Sequence, residues 1–301
     1  MSSDLLRATA AHPTTGSSPS RPGRPTARRI VRLVLSYFVL GLGGVAILMP
    51  FFWMLSTALK RQEDVYKFPP EWFSSPHFAN FAEALTLVPF YKFALNTATV
   101  VSLVVLGTLV SCSFAAYGFA RLRAPGRDAI FLLVIATIML PTTVTLVPTY
   151  IMFNYLGWIN SFKPLIIPAF FGVPFYIFLL RQFYLTIPRE LEDAARIDGA
   201  GYFRIWWTIM LPLSKPALAT VMVFTFIAAY NDFFGPLIYL TDESKWTIAV
   251  ALSTFTGSPR IGPQMHLLMA ATTIAAIPSI LVFLLAQRYF VRGIVLSGIT
   301  R

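Results

Sequence analysis

The sequence predicts an all-α integral membrane protein, and three observations carry that prediction. Of 301 residues, 56% are hydrophobic and only 12% are charged, against about 25% charged in an ordinary soluble domain. The apolar residues gather in long uncharged runs. A bilayer imposes that pattern, because about 20 apolar residues at helical rise cross its hydrocarbon core. The basic residues crowd into alternate connections between those runs, as the positive-inside rule requires.

The elements follow in order. Residues 1–29 are rich in Ser, Thr, Pro, Gly and Arg, cannot bury a core, and predict a disordered cytoplasmic tail. Residues 30–301 form the transmembrane domain. Arg28, Arg29 and Arg32 lead into an uncharged run from Leu33 to Leu59. That run is too long for a signal-peptide core and no small-residue cleavage site follows it, so it predicts a retained first span. The remaining runs place spans at about 33–58, 94–120, 129–149, 164–183, 216–240 and 266–288, six in all. The stretch from Ala129 to Phe162 exceeds one span and carries Asn154, Gly157 and Asn160 near its end. It predicts one helix to about Thr149, then a loop. Trp246 to Phe255 is apolar but short, with Ser and Thr interspersed, and predicts an interfacial or re-entrant piece, not a seventh span.

Charge fixes the expected orientation. With the N-terminus cytoplasmic, that side carries Arg7, Arg21, Arg24, Arg28, Arg29 and Arg32, then Arg121, Arg123 and Arg127. It also carries Arg181, Arg189, Arg196, Arg204 and Lys215, then Arg288, Arg292 and Arg301. These are 17 of the 24 Lys and Arg residues, which predicts both termini in the cytoplasm. The formal charge of +11 is thereby spent on topology, and nucleic acid is not an expected partner. The single cysteine, Cys112, excludes an internal disulfide framework and predicts a small packing residue. His12, His77 and His266 lie far apart in sequence. No metal site, cofactor site or catalytic residue is predicted.

Prolines fall in or beside the spans at Pro50, Pro141, Pro148, Pro168, Pro174, Pro236 and Pro278. Each removes a backbone donor. They fit kinked helices around a pathway, or ordinary kinks in a packed bundle. Asp232 is the one acid well inside the apolar runs, and an intramembrane carboxylate is a functional candidate by default. With Asn231 beside it, it could line a route by hydrogen bonding to hydroxyl groups, or pair with a neighbouring helix.

The connection at 184–215 is the informative one. Pro188 suits a helix start, and Glu190, Glu192 and Asp193 suit a helix N-terminus. Leu191, Ala194, Ala195 and Asp198 follow at helical spacing, and Gly199 and Gly201 permit a sharp turn. A second amphipathic piece, Tyr202 to Met210, is expected to stop at Pro212. Two short helices at a turn would form a rigid knob, or else an interfacial amphipathic loop.

This segment resembles the EAA loop of ABC importer permeases, whose pattern is Glu-Ala-Ala, three residues, Gly, nine residues, Ile, one residue, Leu-Pro. Asp193-Ala194-Ala195, Gly199 and Ile209-Met210-Leu211-Pro212 reproduce every spacing. Asp193 replaces the usual Glu, which shortens the reach by one methylene. Ile197 to Ala200, Leu211 to Ala217, and Tyr230-Asn231-Asp232-Phe233 with Pro236-Leu237 resemble the carbohydrate-uptake branch, as in maltose-type and glycerol-3-phosphate-type importers. The resemblance implies a MetI-like permease fold in a bacterial cytoplasmic membrane. It implies a coupling loop built on Glu192, Asp193, Ala194, Ala195, Asp198, Gly199, Ile209, Leu211 and Pro212. The implied partners are a cytoplasmic ATPase dimer, a second homologous permease, an extracytoplasmic solute-binding protein and membrane lipid. Since the chain has no Gly-x-x-x-x-Gly-Lys-Ser/Thr segment, the phosphates of ATP have no P-loop here. An ion-coupled secondary transporter is the alternative. It would show more buried acids or His and a repeated half.

Overall fold

A computed structural model describes residues 27–69, 71–72, 76–257 and 263–297. Among the described residues every regular element is helical. The chain divides into two compact units, Met1–Phe52 and Trp53–Arg301, with the boundary inside helix α1 (Ala27–Ala58). Within the first unit no described side chain from 31 to 52 is buried. A helix apolar on every side is stable where lipid or protein covers it, which agrees with a first span. The tail expected over 1–29 falls outside the described residues except at 27–29, which are already helical.

The second unit is organised by α3 (Phe90–Arg121), which follows α2 (Ala79–Leu87). Its 32 residues contain no proline, so the ladder of backbone bonds is unbroken over about 48 Å. Next come α4 (Arg127–Ala136), α5 (Thr142–Tyr155), α6 (Lys163–Ile166) and α7 (Pro174–Leu185). The chain continues through α8 (Glu190–Ile197), α9 (Tyr202–Ile205), α10 (Leu211–Leu213) and α11 (Lys215–Tyr230). It closes with α12 (Phe234–Tyr239), α13 (Ile248–Ser253) and α14 (Met265–Ser297). Helix α3 packs on α7 and α11, α11 on α14, and α14 on α2.

Two cores form, one at each end of α3. One joins Phe90 and Phe93 to Ala58, Ala84, Ile248, Phe255, Leu267 and Ala271. The other joins Cys112, Ala116, Tyr117 and Ala120 to Leu180, Tyr184, Ile205, Trp206, Met210 and Ala217. Alanines in both cores, and Cys112 in one, sit among the large side chains and let backbones approach closely, as in membranes generally, where van der Waals packing replaces the hydrophobic drive. Cys112 is fully buried. Its Sγ accepts from the Val173 amide at 3.1 Å, so the thiol ties α3 to the start of α7.

Four helices are long and apolar enough to cross a membrane: Val31–Ala58, Phe90–Arg121, Lys163–Leu185 and Met265–Gln287. Two bent pairs raise the number to six. The expected third span is two limbs, Arg127–Met139 and Thr143–Tyr155, meeting at 103°. Pro141 causes this. It holds Leu140 and itself in extended backbone, because the ring excludes the preceding residue from the helical region. Helical structure then runs on to Tyr155, past the expected end at Thr149. The fifth span breaks after Tyr230 and resumes at Phe234. Helix α14 continues nine residues beyond the expected end at 288. In the segment expected to be short and apolar, α13 buries Ile248, Val250 and Ala251, and Phe255 just beyond it is buried too.

Candidate functional site

Two sites stand out, a projection between α7 and α11 and a cavity beside the middle of α3. In the projection, acids at Glu190, Glu192 and Asp193 occupy the first turn of α8, where the helix dipole favours them. The helix ends in paired bonds, Gly199 N to Arg196 O at 3.0 Å and Ala200 N to Ala195 O at 2.9 Å. This closure needs a left-handed residue just past the cap, and Gly199 supplies it at φ +80°. Helix α9 then passes into a π-turn, Trp206–Met210.

The helix runs one residue past Pro212, to Leu213, and ends before α11 begins. The π-turn widens the ladder, with Leu211 N donating to Trp206 O five residues back, and the chain runs through the proline to Leu213. It turns at the buried Ser214, where the limbs Tyr202–Leu213 and Lys215–Tyr230 differ by 80°.

The candidate coupling residues divide into two sets. Asp193, Ala194, Asp198, Gly199 and Pro212 are exposed. Glu192 is buried, and Ala195, Ile209 and Leu211 pack against the core at the α8 end of α3. The outer surface also carries Ile197 at 87% exposure, with Tyr202, Phe203 and Trp207 exposed beside it. An apolar cluster rimmed by charge marks a surface built for contact. Glu192, one of the candidate coupling residues, faces its own chain. Its Oε1 lies 2.8 Å from Arg121 Nε, with both side chains at most 4% exposed. Arg121 ends α3, 71 positions before Glu192, and sequence reasoning did not pair them.

The cavity has a volume of about 560 Å³. Its walls come from α3 (Thr97 to Thr108), the Leu165 to Tyr176 segment, α11 and Asp232. Most of the lining is apolar, with a few polar groups converging, the usual make-up of a small-molecule site. Thr225 and Thr247 line it at 4% exposure, and neither hydroxyl has a hydrogen-bond partner among the described residues. Asp232 Oδ1 accepts from the Gly235 amide at 3.0 Å. Among the described lining residues Asp232 is the sole charged group. Asn231 does not line the cavity. Its Nδ2 donates to the Ile227 carbonyl at 2.8 Å, on the exposed side. The threonines were missed from sequence because a hydroxyl within an apolar run gives no pattern of its own.

Residues 107–296 match the family described as binding-protein-dependent transport system inner membrane component. Over 251 residues the chain is 35% identical to the "Probable ABC transporter permease protein YurM" of Bacillus subtilis, covering 83% of each. It is 32% identical over 269 residues to the sn-glycerol-3-phosphate transport system permease protein UgpE of Yersinia pestis, covering 87% of this chain and 95% of the relative. It is 30% identical over 258 residues to the diacetylchitobiose uptake system permease protein NgcG of Streptomyces coelicolor, covering 84% of each. In fold it is similar to a chain of a bacterial ABC transporter involved in import of the acidic polysaccharide alginate. That TM-score is 0.78 at 24% identity, over 90% of this chain and all of the other.

Proposed function

The chain belongs to the binding-protein-dependent transport system inner membrane component family, and from that premise we propose that it carries a neutral sugar through the cavity beside α3 while the α8–α9 projection takes force from an ATPase. It is a multi-pass inner-membrane permease component and not an enzyme. ATP hydrolysis then takes place on a separate cytoplasmic subunit that receives the projection. A second permease completes the pathway, and an extracytoplasmic binding protein delivers the solute. The basic residues on the projection side support a cytoplasmic location for it and for both termini.

The observation that carries the sugar reading is a largely apolar cavity whose wall carries the hydroxyl residues Thr225 and Thr247 together with the Asp232 carboxylate. Hydroxyl-rich solutes satisfy such groups in both directions, as donors and acceptors. A carboxylate as the charged group on the described wall opposes phosphorylated or acidic sugars. Asp193, Ala194, Asp198, Gly199 and Pro212 form the surface toward the ATPase. Glu192, Ala195, Ile209 and Leu211 hold that surface in shape.

The test is transport in proteoliposomes by the purified complex with its binding protein. Uptake of a neutral sugar that needs both ATP and the binding protein is expected. Uptake by this chain alone, driven by an ion gradient, would establish a secondary carrier instead.

A further inference from the structure

Arg121 turns its guanidinium into the protein at the end of α3. Its Nη2 donates to the carbonyls of Tyr184 at 2.6 Å and Ile187 at 2.5 Å. These lie at and just past the end of α7, where carbonyls lack partners within the helix. Its Nε sits 2.8 Å from Glu192 Oε1 in the first turn of α8. One side chain therefore ties together the ends of α3 and α7 and the start of the projection. Glu192 Oε2 also lies 3.7 Å from Arg196 on α8.

A buried ion pair is a weak device for stability, since its desolvation offsets most of the attraction. Its better-attested use is to fix register between elements. The pair here joins the projection to an unusual helix. Among the described membrane-length helices, α1 contains Pro50 and α14 contains Pro278. The Lys163–Leu185 segment is interrupted at Gly172. Only α3 has neither proline nor break, and sharp bends in helices need such a cause. Between Arg121 and Thr108 on the cavity wall it spans about 20 Å.

We propose that Arg121 and Glu192 are positioning residues that make α8 and α3 move as one body, so that displacement of the projection reaches the cavity wall along α3. The proposal rests on the coupling role given above. The two covalent routes out of the projection each contain a non-helical joint, the link 186–189 before α7 reaches Pro174 and Tyr176 on the cavity wall and the 80° turn at Ser214 before α11. The ion pair provides a third route without one.

The experiment uses the complete complex in proteoliposomes and measures sugar taken up per ATP hydrolysed. Glu192→Gln preserves shape and removes the charge. It is expected to lower that ratio about five-fold or more, the lower range of coupling effects, while the ATPase still co-purifies as with wild type. Arg121→Gln should do the same, and the double variant should be no worse than the worse single, because both act on one link. Asp128→Asn, which breaks the exposed Arg127–Asp128 pair nearby, should leave the ratio unchanged. A wild-type ratio in Glu192→Gln would overturn the proposal. Loss of ATPase co-purification in that variant would overturn it too, by making the pair a fold element. Wild-type complex that shows no ATP-driven uptake would count against the coupling reading instead.

Discussion

Substitutions at Gly199 separate strain within the chain from collision with a partner. Its φ of +80° lies in the left-handed region, and a Cβ placed there meets no atom of the described residues beyond its chain neighbours within 4 Å. Within the chain, Gly199→Ala therefore costs only conformational strain, about 1–2 kcal/mol. Asn and Asp visit that region more readily, so Gly199→Asn and Gly199→Asp cost less than Gly199→Ala. Against a folding stability of about 5–15 kcal/mol, all three variants remain folded and inserted. A seat on the ATPase that closes over the turn reverses the ranking. Ala then intrudes least, and Asn and Asp most. A contact loss of about 1.4 kcal/mol would already lower seating tenfold. The expected result is thermal stability in the order Asn above Ala, with sugar uptake in membrane vesicles in the order Ala above Asn and Asp. Uptake that follows the stability order, or near-wild-type uptake by Gly199→Asp at normal expression, would refute the reasoning.

Three further outcomes follow from close contacts. A Cβ at Gly235 would lie 2.5 Å from Asp232 Oδ2 and 3.2 Å from Leu165. Gly235→Ala should displace the carboxylate and lower uptake several-fold without loss of membrane insertion, read by uptake normalised to protein in the membrane. A Cβ at Gly107 would lie 2.6 Å from the Phe170 ring, so Gly107→Ala should destabilise the α3 contact by about 1–3 kcal/mol, seen as earlier thermal aggregation in detergent. Cys112→Ser keeps an acceptor for the Val173 amide and should retain uptake, whereas Cys112→Leu overfills a fully buried position and should lose about 1–3 kcal/mol in the same thermal assay.

The membrane class and the limits of the projection were legible because they depend on local chemistry. Uncharged runs report the bilayer, and Pro188, the acids after it and Gly199 mark a helix start and stop wherever they occur. What escaped depended on contacts distant in sequence or on small adjustments of the backbone. Which face of α8 turns inward is decided by Arg121, so Glu192 and Asp193 could not be told apart from spacing. The end near Pro212 was legible, but the π-turn at Trp206–Met210 that leads into it has no sequence signature. Asn231 and Asp232 looked like a pair, yet the break after Tyr230 sends one side chain to the Ile227 carbonyl and the other to the cavity. Pro141 was visible as a kink, but a 103° turn exceeds what one proline announces by itself.

The coupling role is tested most directly by cross-linking at the projection in the assembled complex. Cys112→Ser removes the single cysteine, and Ala194→Cys then places one thiol on the exposed face of α8. The account predicts a cross-link between Cys-bearing α8 and a cysteine in the ATPase cleft, with a yield that changes when ATP is added and arrest of uptake once it forms. An active complex in which no cysteine of that cleft reaches α8 in any nucleotide state would contradict it.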